Sequence, residues 1–181
     1  MRTFFALAII TTVAVTPDVG LTQQPLLSPR DSVEISFNGI TISVNYGRPS
    51  MRKRKIMGGL VPYDRWWRTG ANEATAFVTE TDLVLGGKEI PRGSYTLYTM
   101  PSARQWTLII NKQTGQWGTV YNPDLDFVRI PLTKKMLKNP VEKFTITLEK
   151  IGKSSGILRL VWEKTDLSVN FQVKNVESGK L

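Results

Sequence analysis

The chain has 181 residues, enough for one domain with a sizeable buried core. Its 41% hydrophobic and 22% charged residues are a globular composition and exclude a disordered chain. The formal charge of +9 reads by default as solubility alone, with nucleic acid, acidic lipid or an anionic ligand as alternatives, while the lack of any histidine or cysteine excludes disulfides, Ser-His-Asp and Cys-His catalysis and the usual zinc sites.

The chain opens with MRTFFALAIITTVAV, in which Arg2 precedes an apolar run from Phe4 to Val15. A short positive region followed by an apolar stretch of this length is the pattern of a secretory signal peptide. Cleavage is expected between Val15 and Gln24, giving a periplasmic or secreted protein with no stable membrane span; a retained anchor is the competing reading. An exported domain of this kind speaks against a nucleic-acid partner. Residues 1–24 are read as the leader and the start of a tether, and 25–30 as the rest of the tether. A single β domain follows over 31–176, with a tail over 177–181.

Strict alternation begins at SVEISFNGITISVNY, with Val33, Ile35 and Phe37 before Asn38-Gly39 and Ile40, Ile42, Val44 and Tyr46 after it. Asn-Gly between two alternating runs predicts a β-hairpin, because a type I′ turn needs positive φ at both central residues. The next stretch, GRPSMRKRKIMGGLVPYDRWWRTGAN from Gly47 to Asn72, has almost no alternation. Its tryptophans and aliphatic residues argue against disorder, so it is predicted to be a long ordered loop laid over one end or edge of the domain.

Period-two patterning then returns. Gly86-Gly87 and Pro91-Arg92-Gly93 are turn chemistry, and Trp106, Leu108 and Ile110 share one face of a strand. Phe144, Ile146 and Leu148 alternate, as do Leu158, Leu160 and Trp162, and Leu167, Val169, Phe171 and Val173. The expected fold is all-β, an antiparallel β-sandwich or a barrel-like alternative. Helix is minor: LTKKMLKN, ended by Pro140, is expected to form a turn or two.

Several motifs carry a resemblance. SPR (Ser28 to Arg30), NYGRPSMRKRKIMG (Asn45 to Gly58), LVPYDRWWRTGANEAT (Leu60 to Thr75), the G-x-x-x-P-x-G-x-Y-x-L run from Gly87 to Leu97, and the WE-K segment at Trp162 to Lys164 resemble one family of exported bacterial proteins. It is known only as a domain of unknown function. The resemblance implies a secreted, β-rich single domain and transfers no catalytic role. Trp66 departs from the small or aliphatic residue expected before WRTGANEAT.

Any chemistry must therefore be read from the residues themselves. Arg48, Arg68, Asn72 and Glu73 offer a planar cationic fork, an amide and a carboxylate, and Trp67 offers a face for an arginine plane or a sugar. Such groups on one ordered loop suit a polar, anionic or carbohydrate ligand, and equally suit a network that braces the loop. The leading expectation is a non-catalytic binding module with no cofactor. The alternatives are a carboxylate-dependent hydrolase using Glu73 with Asp64, and a structural envelope protein without a small-molecule site. Asp82, Glu89, Asp124 and Asp126 are further carboxylates whose proximity spacing does not fix. The run Arg52-Lys53-Arg54-Lys55 reads first as a solvated flank and second as an attractor of anions. No D-x-D-x-D run suggests calcium. Tyr46, Tyr63, Tyr95 and Tyr98 are assigned to the core edge, and Gly70 to a bend with positive φ.

Overall fold

The computed structural model describes residues 27–174, so the expected leader, the first part of the tether and the tail lie outside the described residues. Nine strands follow in chain order: β1 Arg30–Phe37, β2 Ile40–Gly47, β3 Thr75–Thr79, β4 Leu83–Leu85, β5 Lys88–Ile90, β6 Gly93–Met100, β7 Trp106–Asn111, β8 Asp126–Lys150 and β9 Ser155–Val173. One 3-10 turn, Pro123–Leu125, precedes β8. The strands form an all-β, wholly antiparallel sheet in the order β1-β2-β3-β6-β7-β8-β9-β4-β5.

Local sequence accounts for the tight turns. Asn38 and Gly39 have φ of 50° and 83°, and Phe37 pairs with Ile40 across them. Gly86 and Gly87, at 56° and 78°, join β4 to β5 in the same way. Both turns place two residues in the left-handed region, which matches the twist of the flanking strands. Of the expected tether, Arg30 already belongs to β1, and the Pro29 carbonyl accepts from the Arg48 amide.

The sheet folds over itself at a corner in the β8–β9 ribbon. Register passes from Met136↔Thr165 to Val141↔Glu163 and then to Thr145↔Val161, so β8 carries extra residues through the corner. Glu163 sits at φ 53° there, a backbone state that bends a strand sharply. Beyond the corner the ribbon returns: the Val173 amide donates to the Ser154 carbonyl at 2.7 Å, and Gly156 packs against the Phe171 ring. The result is sandwich-like. Phe144 and Trp162 from the returning half meet Tyr46, Trp67 and Trp106 in the core.

LTKKMLKN is a correction. It belongs to β8, where Leu132 is buried opposite Trp106 and Met136 pairs with Thr165. As a helix it would present only a two-turn apolar stripe, too short to hold itself, whereas β7 and β9 offer ladder partners. Pro140 falls among the unpaired extra residues, where the ladder needs no donor.

The loop from Gly47 to Asn72 is ordered over one edge as expected, pinned by the buried side chains of Ile56, Met57 and Val61. Phe144→Ala should lower stability by about 3–5 kcal/mol in urea unfolding, whereas Lys138→Ala in the exposed corner should stay within about 0.5 kcal/mol.

Candidate functional site

The segment from Trp66 to Thr75 is held by close backbone approaches. The Ala71 amide donates to the Gly47 carbonyl at 3.2 Å, and a Cβ at Gly47 would overlap the Ala71 carbonyl oxygen. Gly118 donates to the Asn72 carbonyl at 3.0 Å, and a Cβ there would lie 2.5 Å from the same oxygen. The Thr75 hydroxyl donates to the Thr69 carbonyl at 2.8 Å. Left-handed bends fall at Thr69 (φ 53°) and Asn72 (φ 62°), and Gly70 between them is a bend with positive φ (159°), as expected. Glycine is needed at 70 for room: a Cβ would come 2.9 Å from the Thr75 hydroxyl and 3.0 Å from the Gly47 carbonyl.

Trp67 and Trp66 serve different neighbours. Trp67 bridges Thr99 through its backbone and stacks on Trp162 at 5.8 Å, with Phe144 and Trp106 edge-on. Its ring is mainly a core group. Trp66 packs on Tyr98 and Tyr121 at 5.7 and 4.9 Å.

Beside these rings an open cavity of about 470 Å³ lies between the loop and the sheet edge. Its wall includes Arg52, Arg54, Arg68, Asn72, Trp66 and Trp67, with Leu60 and Pro62 as apolar flanks, and among the described residues no Asp or Glu lines it. The Arg68 stem packs on Gly118, and its Nε donates to the Gly70 carbonyl at 3.3 Å. No carboxylate among the described residues lies within ion-pair distance of this guanidinium. Burial alone pulls its pKa below the ordinary arginine value. Asn72 donates its side-chain amide to the Ser28 carbonyl at 2.9 Å, which ties the domain's first described residues to the cavity.

The structure thus gathers Trp67, Arg68 and Asn72 and leaves the other two expected residues elsewhere. Arg48 turns to the far side of the loop, where it bonds the Phe144 carbonyl (3.2 Å), Thr145 Oγ1 (3.0 Å) and Asp31 (3.2 Å). It borders a second hollow of about 290 Å³ with Asp31 and Lys143. Glu73 is exposed and pairs with Arg30 at 3.4 Å. Asp64 is also exposed, on a turn with φ 60°, and neither carboxylate borders the cavity. The sequence pattern does not place Trp66, Arg52 or Arg54 at a cavity, although the run Arg52–Lys55 carries a second reading as an attractor of anions. Arg54 reaches the cavity wall because it folds back over its own loop onto the Ser50 and Met51 carbonyls, a path that cation spacing does not encode.

A polar cluster continues from Trp66. Gln116 donates to the Tyr98 hydroxyl at 2.9 Å, and Tyr98 donates to the Val120 carbonyl at 2.6 Å. The Tyr121 hydroxyl donates to Asp126 at 2.8 Å, and Arg129 pairs with Asp126 at 2.7 Å. Burial, then the bond and charge of Asp126, push the Tyr121 pKa up to about 12. Among the described residues, no group of three or more Asp and Glu side chains could hold a metal ion.

The fold and site define an all-β domain whose one irregular loop carries a cationic, aromatic-walled cavity. The chain belongs to the family described as "Protein of unknown function (DUF2911)", which matches residues 28–171. No curated protein and no solved structure matches it.

Gly47→Ala should destabilise the domain and detach the loop, read as faster hydrogen exchange at the Ala71 amide. For Tyr121, a folded pKa of about 12 against 10.0 for the free group means that its stabilisation is complete below pH 10 and is lost as pH rises toward 12. Asp126→Asn should move that titration down, read from phenolate absorbance, without reaching the free value because burial remains.

Proposed function

We propose that this chain is an exported, non-catalytic binding module for a small anionic ligand with an apolar face, such as an acidic sugar. The observation that carries the reading is the cavity wall: three arginines, an asparagine and indole rings, with no carboxylate from the described residues. The Arg68 guanidinium is half-buried and meets no carboxylate among the described residues, and a bound carboxylate, sulfate or phosphate would supply the counter-charge. Arg68 lies deep and fixes the anion through its planar fork. Arg52 and Arg54 lie at the exposed rim and attract it. Trp66, Leu60 and Pro62 supply apolar contact for the carbon face of a ring. Export is supported by the leader-like opening of the sequence. Catalysis by Asp64 and Glu73 draws no support from their placement, since both are exposed outside the cavity.

The test is a titration with glucuronate, inorganic phosphate and neutral glucose, followed by tryptophan fluorescence and calorimetry. The two anions should bind, and glucose should bind more weakly than glucuronate. Arg68→Gln should weaken glucuronate about tenfold or more, since a hydrogen bond to a charged group contributes roughly 1.5–3 kcal/mol. Arg54→Gln, at the exposed rim, should weaken it less, and Glu73→Gln should leave it unchanged. Equal binding of glucose and glucuronate, no binding of either anion, or an unchanged affinity in both arginine variants would overturn the reading.

A further inference from the structure

The chain's positive charge is concentrated at one place. The loop Arg52–Lys55 contributes four cations, and Lys134, Lys135, Lys138, Lys143 and Lys164 contribute five more, against Glu142 and Glu163 in the same segments. That is 9 − 2 = +7, of a total of +9 for the whole chain. The Arg52–Lys55 loop meets β8 beside Lys143, and β8 meets β9 beside Lys164, while Lys134 further along β8 donates to the Ala103 carbonyl at 2.9 Å. The Met51 amide donates to the Glu142 carbonyl at 2.8 Å, Ser50 bridges Lys143, and Val141 pairs with Glu163.

The two carboxylates do not neutralise this cluster. Glu142 accepts from the Arg52 amide at 2.9 Å, and Glu163 accepts from the Met57 amide at 3.1 Å; their two charges are already counted in the sum, which stays at +7. None of the nine cations forms an ion pair with a described residue. Lys53, Lys55, Lys135, Lys138, Lys143 and Lys164 are exposed. The extra residues of β8 at the corner push this chemistry outward, and they adjoin an apolar tip: Met136 is 66% exposed amid the lysines. Leu60, 47% exposed, sits on the same loop as the arginines.

We propose that this corner docks the domain onto an anionic lipid bilayer surface. Exposed lysines gain energy from an anionic surface within a Debye length, and single apolar side chains among them can enter the headgroup boundary. A soluble polyanion would use the charge and leave Met136 and Leu60 without a role. A nucleic-acid strand would want exposed aromatic platforms, which these cationic segments lack. The proposal does not depend on a ligand in the cavity, although Arg52 and Arg54 border both features.

The experiment is sedimentation of the full chain with vesicles of phosphatidylcholine alone and of phosphatidylcholine containing about one-third phosphatidylglycerol. The apolar run Phe4 to Val15 would bind both compositions, so the readout is the ratio of anionic to neutral partitioning. That ratio should be about tenfold or more at low salt and fall toward unity in roughly half-molar salt. Lys55→Glu, Lys135→Glu and Lys138→Glu together should abolish the preference while weakening glucuronate in the cavity by less than Arg68→Gln does. A control with the same change in charge, Lys88→Glu, Arg92→Glu and Lys153→Glu, should retain it. Met136→Ser should lower anionic partitioning without changing binding to soluble polyphosphate. A ratio near one for the native chain, an undiminished ratio in the corner variant, or tight polyphosphate binding without vesicle preference would overturn the proposal.

Discussion

After its corner, β8 has β9 on one side and an open ladder edge on the other, and an unpaired buried edge is costly. The segment leaving β2 closes it. Met51 donates to the Glu142 carbonyl, Phe144 donates to the Pro49 carbonyl, the Arg48 guanidinium donates to the Phe144 carbonyl, and Ile146 donates to the Tyr46 hydroxyl. Successive needs of the edge are thus met by residues 46 to 51. Proline fits at 49 because only its carbonyl is required, and an arginine at 48 stands in for a strand's backbone donor. This closure turns a bent open sheet into a sandwich-like fold with a sealed core.

The cavity is a consequence of the same closure. Once Pro49–Met51 is committed to β8, the chain must return from Arg52 to Trp67 across the core before it can enter β3. It does so by burying Ile56, Met57 and Val61 as anchors and laying Trp67 on Trp162. Gly47 then lies against Ala71, and Gly118 against Asn72, which holds the loop's two ends together and against the segment after β7. The cavity is the space left between those ends and the loop's middle. None of the three arginine guanidiniums on its wall forms an ion pair with a described carboxylate.

Much of the fold was legible because its signals are local. Asn38-Gly39 and Gly86-Gly87 specify their turns through backbone conformation, and alternation marks which residues face the core. The corner of β8 was not legible. Leu132 and Met136 are spaced as on one face of a helix, and nothing local says that distant strands will supply ladder partners instead; β7 and β9 decide that. The site was half legible for a related reason. Trp67, Arg68 and Asn72 meet at the cavity, but neighbours in sequence on a loop can leave on opposite sides. Glu73 turns out to Arg30, and Arg48 is claimed by a distant edge, its Nε bonding across a separation of 96 residues. Arg52 and Arg54 read as a solvated flank because a run of four cations carries no information about where its loop folds.

Concentrating so much positive charge on one side has a physical cost that the rest of the chain does not relieve. At physiological salt the screening length is about 8 Å, so cations on adjoining segments still repel one another. A surface selected only for solubility would intersperse the two signs, and the remaining surface of this domain does so: Arg30 with Glu73, Arg48 with Asp31, Arg129 with Asp126, Lys174 with Glu89. The corner and the cavity rim depart from that arrangement together. Arg52 and Arg54 border both features, so an anion in the cavity and the anionic surface proposed for the corner would draw on one positive potential. The first to bind lowers that potential for the second, and the reciprocity of linkage makes the penalty equal in both directions. On the docking proposed above, an anionic ligand would weaken the corner's attraction to an anionic bilayer, and the bilayer would weaken the ligand's binding equally.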